Sequence, residues 1–533
     1  MAVTPRESLV DALHARSNQA EASDAASNHV ESRLWKVTKL QCLLDAVSDE
    51  LDKDEKRLLA LKARHKNSGA PINRLPDEVL GQIFHLFRPS LTRDEPISST
   101  RPGIADKLTA LRAKFCAVCS HWRDFIVADA TMWNVLHLAM NDSIESADYI
   151  NWARLQLDRS RGAPLDLSVS LLHPAESCQP LYYALLREHL PRCQRLAVLI
   201  NYHIGLRYLL LDLTFPALKT LKVRYKYDST RHLPLPPATR TRIPSFTPIP
   251  ACQTPILQCL TVSSHHMDPA DILWDLYTSN HNTLRFLSVN TSSDHLKSLF
   301  DFLVSLTQLQ HLSWNCKRLE DTEPFNLPPA ITLPNLVSLS VQGNQPALES
   351  LHTPNIAWLE FYASGSEWDA YIRTLGQSSG SSDREPKAFK FPFVRFLHVS
   401  SGSMSANRAI CDYIVPQLEH LEEVSFHGMM GSAVEHIIVE RHRRNLPPLR
   451  AVSIFAPADS GATRRFIAPL LLNTKLMLCL YRQCRGSTNY TPDTWLELKD
   501  ALRDLEGYDR IVFVDNKSKG PSTFTIGPWG EGQ

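Results

Sequence analysis

The chain has 533 residues, 43% of them hydrophobic, with 57 lysines and arginines against 56 aspartates and glutamates. That length suits several ordinary domains or one elongated array, the apolar share is that of a folded protein, and a formal net charge of +1 argues against a general electrostatic grip on nucleic acid or membrane. The opening MAVTPRESLVDALHARSN lacks the apolar core of a secretory signal, no later stretch is long and uncharged enough to span a bilayer, and the 11 cysteines are scattered and odd in number, so the expected setting is cytoplasm or nucleus.

Residues 1–28 are polar and rich in small side chains, which predicts a disordered N-terminus. Residues 29–66 change texture. Val37, Leu40, Leu44, Val47, Leu51, Leu58 and Leu61 alternate steps of three and four, with Asp54 interrupting one seam position. This segment is either a coiled coil that makes the chain a homodimer or a lone helix folded back on the adjacent domain. Asn67-Ser68-Gly69-Ala70-Pro71 ends it.

Pro71 to Phe87 reads as a second, shorter helix. Pro76 suits a first helical turn, Asp77 and Glu78 complement the positive helix end, and Leu75, Val79, Leu80, Ile83, Phe84 and Phe87 share one broad apolar face. Downstream, Leu108, Leu111, Phe115, Val118, Cys119, Trp122, Phe125 and Ile126 step by three and four and are expected on one face of a single helix, with Trp133 after a short break. Together, Ile72, Leu75-Pro76, Glu78, Val79-Leu80 and Ile83-Phe84, then Val118-Cys119-Ser120-His121-Trp122-Arg123, then Trp133, resemble the F-box domain. The connection from Arg88 to Asp106 is longer than that family usually has. The resemblance covers about residues 71–138. It implies that Leu75, Pro76, Val79, Leu80, Ile83 and Phe84 contact the Skp adaptor of a cullin-RING ubiquitin ligase, with Val118 and Trp122 completing that surface or joining the helices.

From residue 139 to 515 the chain reads as an array. Segments of the form L-x-x-L-x-V recur, among them FPALKTLKV from Phe215, TPILQCLTV from Thr254, LPNLVSLSV from Leu333 and FPFVRFLHV from Phe391. Leu260, Leu287, Leu312 and Leu339 are 27, 25 and 27 apart, within the leucine-rich-repeat range. Each segment should place its last two apolar side chains on one face of a strand and its first in the turn entering that strand. Degenerate repeats predict an irregular leucine-rich-repeat-like α/β solenoid, with insertions near 228–253 and 376–387 and a loose tail over 516–533. The fold class is therefore α+β with a repeat: an N-terminal helix, a small helical module and a solenoid.

No phosphate-binding loop, H-E-x-x-H helix or G-x-S-x-G turn is present; Cys116, Cys119 and His121 resemble part of a metal motif but lie on a helix whose apolar face uses Cys119, with no second ligand pair following, and adjacent His265-His266 would point apart on an extended segment, so no catalytic residue, cofactor or metal is expected. The basic run Arg441 to Arg444 reads as the polar end of a helix. The layout is similar to fungal-type F-box families. That likeness implies a non-catalytic subunit of an SCF-type ligase that holds a protein substrate, with no nucleic-acid or membrane partner. Exposed strand positions such as Arg224, Arg285, His311, Trp358 and His398 would meet the substrate. The competing expectation is a repeat scaffold or interaction module outside any ligase; an enzyme on an irregular β-rich domain is a third.

Overall fold

α1 runs unbroken from Pro5 to Ser68 in the computed structural model, which describes residues 5–87, 104–140, 147–171, 179–200, 209–210, 213–225, 254–263, 283–292, 296–317, 330–343, 348, 350–363, 389–401, 410–427, 431–455, 460–473, 476–481 and 492–514. This corrects the expected disorder over residues 5–28. No proline or glycine stands between Pro5 and Gly69, and the Ala-rich polar stretch, though weakly amphipathic, holds no helix breaker. The seam residues from Val37 to Leu61 are 56–68% exposed wherever they are large and apolar, so the fold-back alternative is also corrected: the described chain leaves the stripe uncovered.

The chain divides into two compact units. In the first, after a 3-10 turn at Pro71–Arg74, come α2 (Asp77–Leu86) and, later, α3 (Ile104–Val118), which belongs to this unit from Leu111 on, and α4 (Ser120–Ala128). Pro76 occupies the N-cap of α2 and accepts the Leu80 N–H through its carbonyl at 3.0 Å. The single downstream helix expected from the spacing is two helices. They part at Cys119, whose sulfur takes the role of a capping acceptor and receives the Trp122 N–H at 3.5 Å.

Among the described residues the second unit carries a parallel sheet of fourteen strands. In spatial order these are β1 (Val135–Met140), β2 (Leu165–Leu171), β3 (Cys193–Ile200), β4 (Thr220–Tyr225), β5 (Cys259–Ser263), β6 (Phe286–Ser292), β7 (His311–Lys317), β9 (Ser338–Gly343), β11 (Trp358–Ala363), β12 (Phe396–Ser401), β13 (Glu423–His427), β14 (Ala451–Phe455), β15 (Met477–Tyr481) and β16 (Ile511–Val514). Two short strands, β8 (Ile331–Thr332) and β10 (Leu351–His352), pair separately. Spatial order runs with chain order throughout the large sheet. The sheet begins before residue 139, since Val135 already pairs with Asp166 across β1 and β2. Trp133, expected with the helical module, leads into that strand and lies under the Arg159 guanidinium at 4.6 Å.

Each recurring segment is built alike. In LPNLVSLSV, Leu333, Leu336, Leu339 and Val341 are buried, and the Leu336 N–H closes the entering turn on the Leu333 carbonyl at 3.3 Å. Phe215/Leu218, Leu306/Leu309 and Leu418/Leu421 repeat that closure. Successive turns are then tied by backbone: Gln258 N–H donates to Lys219 O, Arg285 to Gln258, Gln310 to Arg285, Val337 to Gln310 and Ala357 to Val337, all at 2.9 Å. The residue after each donor also donates to the same carbonyl, as Cys259 does to Lys219 O at 3.0 Å. The apolar sheet face is packed with residues from α5 (Ala147–Arg159), α6 (Gln179–His189), α7 (Leu296–Leu303), α8 (Gly431–Arg443), α9 (Ser460–Asn473) and α10 (Pro492–Leu502), in one continuous core. Among the described residues no helix is long and apolar enough to cross a membrane. The expected insertions at 228–253 and 376–387, the tail from 516, the greater part of the 88–106 connection and the His265-His266 pair lie outside the described residues.

Candidate functional site

Two surfaces arise from this construction, one on each unit. On the helical unit, Phe84 is buried with its ring stacked at 4.7 Å on Phe115 and edge-on at 4.9 Å to Trp122. Leu80, Trp122 and Ile126 are buried as well, and the absent side chain of Gly81 leaves room for Phe125, whose Cζ would stand 3.2 Å from an added Cβ. Leu80 and Phe84 therefore serve the helical unit's own core rather than an exposed contact face, which corrects their expected placement on that face, while Trp122 joins the helices, one of the two roles expected of it. Leu80 and Phe84 point inward because the rings of Phe115, Trp122 and Phe125 pack against that edge of the α2 stripe.

The other expected contacts stay accessible. Pro76 is exposed, Val79 is 38% and Val118 42% exposed, and Leu75 and Ile83 are half-buried. Val118 belongs to the same end of the module as Leu75 to Val79. Its neighbour Cys119 lies 3.8 Å from the Asn73 Oδ1, and His121 Nε2 lies 3.6 Å from the Asp77 carboxylate. Ile72 adds a further exposed apolar side chain there.

The second surface is the sheet face opposite the core. Strand alternation turns every second residue onto it, and register lines these residues up in rows. One row reads His137, Ser168, Ala197, Lys222, Thr261, Ser288, Ser313, Ser340, Glu360, His398, Ser425, Ser453 and Cys479. The neighbouring core row is almost wholly leucine and valine, as at Leu221, Leu260, Leu287, Leu312 and Leu339. Near the start of the array the open face is mixed in charge: His137 Nδ1 is 3.0 Å from Ser168 Oγ, Asp166 faces Arg195 at 3.9 Å, and Lys222 and Arg224 come next.

Around β11 and β12 the face changes character. Trp358 stacks on Phe396 with ring centroids 5.3 Å apart. One position along, Tyr362 donates its hydroxyl to Glu360 Oε1 at 2.6 Å, and the same oxygen lies 3.7 Å from His398 Nε2. His398 is only 5% exposed, and that Nε2 has no hydrogen-bond partner. Burial lowers the His398 pKa below the ordinary imidazole value while Glu360 opposes the shift; burial and the Glu360 carboxylate both raise that of Tyr362. On the β9 side, Ser338 and Ser340 oppose Trp358 and Glu360, so the surface steps down from an aromatic and a carboxylate onto two hydroxymethyl groups. That step can seat a partner side chain between an aromatic wall and a hydrogen-bond acceptor.

Of the five strand positions expected to meet a partner, Trp358 and His398 share this patch, and His311 lies two strands away on the same face. Arg224 stands on β4, five strands from β11, about 24 Å at ordinary strand spacing, and Arg285 sits in the turn before β6. Glu360, Tyr362 and Phe396 are functional candidates that sequence reasoning missed; the signal for them is their alternation with Leu359, Phe361 and Leu397 in the repeated segments. The basic run folds as a helix end in which Arg443 and Arg444 both bond Glu440, while Arg441 turns into the core. Among the described residues no group of three His, Cys, Asp or Glu could hold a metal ion. No protein-family model matches the chain, and no curated protein matches it.

Proposed function

We propose that the chain is the substrate-recognition subunit of an SCF-type cullin-RING ubiquitin ligase, acting in cytoplasm or nucleus. Its helical module binds the Skp adaptor, and its fourteen-stranded array, read as a leucine-rich-repeat-like solenoid, holds a protein substrate. The observation that carries the reading is the apolar end formed by Leu75, Pro76, Val79 and Val118. These side chains remain accessible while Leu80, Phe84 and Trp122 close the core beneath them. Accessible apolar side chains at Leu75, Pro76, Val79 and Val118 suit contact with a protein partner.

In this role the chain performs no bond chemistry. Holding a substrate lysine near a ubiquitin thioester raises the effective concentration of the attacking amine, and proximity is the catalytic contribution. The patch around Trp358, Glu360 and His398 is the part of the array best suited to the substrate, since it combines an aromatic pair with a carboxylate acceptor.

Co-purification with the Skp adaptor tests the reading, comparing wild type with Val79→Asp/Val118→Asp and with circular dichroism of both. Placing charge at two accessible positions leaves the core intact. Loss of about 2 kcal/mol or more per disrupted anchor weakens binding by roughly 30-fold or more. A folded wild-type chain that does not retain the adaptor overturns the assignment.

A further inference from the structure

We infer that the chain forms a homodimer in which two copies of α1 pack as an antiparallel coiled coil. A helix of 64 residues whose apolar stripe lies in water lacks the tertiary burial that normally holds a helix together. The stripe keeps strict heptad phase from Val37 to Leu61. Val37, Leu44, Leu51 and Leu58 occupy a positions, and Leu40, Val47, Asp54 and Leu61 occupy d positions.

The occupant and its direction are set by the residues that break the pattern. In a parallel, in-register pair each d residue faces its own copy, so the Asp54 carboxylates would meet inside the seam. The flanks would add to this: Glu50 at g would face Glu55 at e of the other copy, and Arg57 would face Lys62. Every charged g-to-e contact between Glu50 and Lys62 would join like signs.

Reversing one helix removes these conflicts, because a positions then face d positions, g faces g and e faces e. With the two copies centred on residue 49, Val37 meets Leu61, Leu40 meets Leu58 and Val47 meets Leu51, each twice by symmetry, while Asp54 faces Leu44 instead of another acid. On the flanks Gln41 meets Glu55 and Leu43 meets the aliphatic stem of Arg57. Two kinds of like-charge contact are left: Glu50 with its copy at the centre, where each Glu50 already carries Lys53 at 2.8 Å, and Lys36 with Arg64 at either end, on the flanks of the seam that runs from Val37 to Leu61. Asp54 likewise carries Arg57 at 3.1 Å. The antiparallel pair thus keeps the two Asp54 carboxylates apart inside the seam and removes the Glu50–Glu55 and Arg57–Lys62 repulsions, which the parallel pair does not.

The test uses the full chain, in a Cys42→Ser background because Cys42 is an exposed thiol on the same helix. Light scattering coupled to size exclusion should give twice the 60.2 kDa chain mass. Under mild oxidation, a Val37→Cys chain mixed with a Leu61→Cys chain should form a disulfide-linked heterodimer, and neither variant alone should cross-link to itself. Leu44→Glu/Leu51→Glu should return the mass to that of one chain while adaptor retention, which depends on the module surface around Val79 and Val118, is unchanged. A monomeric wild type, self-cross-linking of Val37→Cys, or a dimer that survives Leu44→Glu/Leu51→Glu each overturns the inference.

Discussion

Replacing Arg441 by methionine should loosen two neighbouring strands of the sheet, β13 and β14, without touching either proposed surface. Arg441 is 2% exposed, yet its guanidinium is held by backbone carbonyls rather than by a carboxylate. It donates to Leu418 O at 2.9 Å, to Leu421 O at 3.2 Å and twice to Pro447 O, at 3.1 and 2.8 Å. Leu418 and Leu421 form the turn entering β13, and Pro447 precedes β14, so one side chain fastens α8 to two successive units. Charge-assisted bonds of this kind are worth roughly 1.5–3 kcal/mol each, and three acceptors lose them in the variant. Relief from burying a guanidinium returns several kcal/mol, since burial already pulls its pKa down. The balance is a net loss of about 2–4 kcal/mol, read as roughly 30- to 1000-fold faster amide exchange in β13 and β14. Arg441→Lys should be no better than methionine, because one ammonium cannot span three separated carbonyls while its charge stays buried. A lysine variant with wild-type protection, or a methionine variant within about 0.5 kcal/mol of wild type, would refute the assignment of Arg441 as a fork between turns.

His398 makes the array sensitive to acid. Its folded pKa lies below the ordinary 6.5, so the unfolded chain takes up the proton first as pH falls through that value. Stability should decline from about pH 6.5 downward and level off once the folded imidazole titrates; His398→Gln should flatten that part of a stability–pH curve measured by denaturant unfolding. Gly81→Ala gains about 1 kcal/mol of helix propensity and loses a comparable amount against the Phe125 ring, so exchange over α2 should change little, whereas Gly81→Val should cost about 1–3 kcal/mol through overpacking. Gly507 has φ +84° and an added Cβ would run into the Arg510 guanidinium, so Gly507→Ala should lower protection of β16 by about 1–2 kcal/mol. Asn335→Ala and Asn355→Ala remove side-chain amides that donate to Thr307 O at 2.8 Å and Pro334 O at 2.7 Å; each should cost about 1 kcal/mol in the same exchange assay, localised to the turn it leaves.

The strands are legible in the sequence because the recurring L-x-x-L-x-V segments carry the same apolar positions each time, and period-two alternation within each segment assigns faces. Leu260, Leu287, Leu312 and Leu339 fall one strand apart in a shared register, as their spacing requires. Helix boundaries are less legible. The break at Cys119 depends on a thiol capping the Trp122 amide, and cysteine is not a residue type that announces a cap. The length of α1 is hidden for the opposite reason: Ala-rich polar sequence satisfies both helix propensity and the compositional marks of disorder. On the helical unit, periodicity marks the apolar residues of α2 but cannot divide them. Leu80 and Val79 look equivalent in sequence, and only the rings of Phe115, Trp122 and Phe125 decide which faces inward.

Under the proposed function, recognition falls on the residues that alternate with the core along the same strands, which separates it from stability for almost the whole sheet. Lys222, Thr261, Ser288, Ser313 and Ser340 can change without disturbing the leucines beside them, so the open face can acquire a preference at little cost to the fold. His398 is where the separation fails. It occupies an open-face position but is buried, with an unpartnered Nε2 beside a carboxylate that another side chain already uses. A leucine there would remove an unsatisfied polar atom and should stabilise the array by about 1 kcal/mol or more. Keeping an imidazole in that place lowers stability with no return inside the isolated chain. What it retains there is a titratable ring 3.7 Å from the Glu360 carboxylate, which couples the fold to pH at an open-face position.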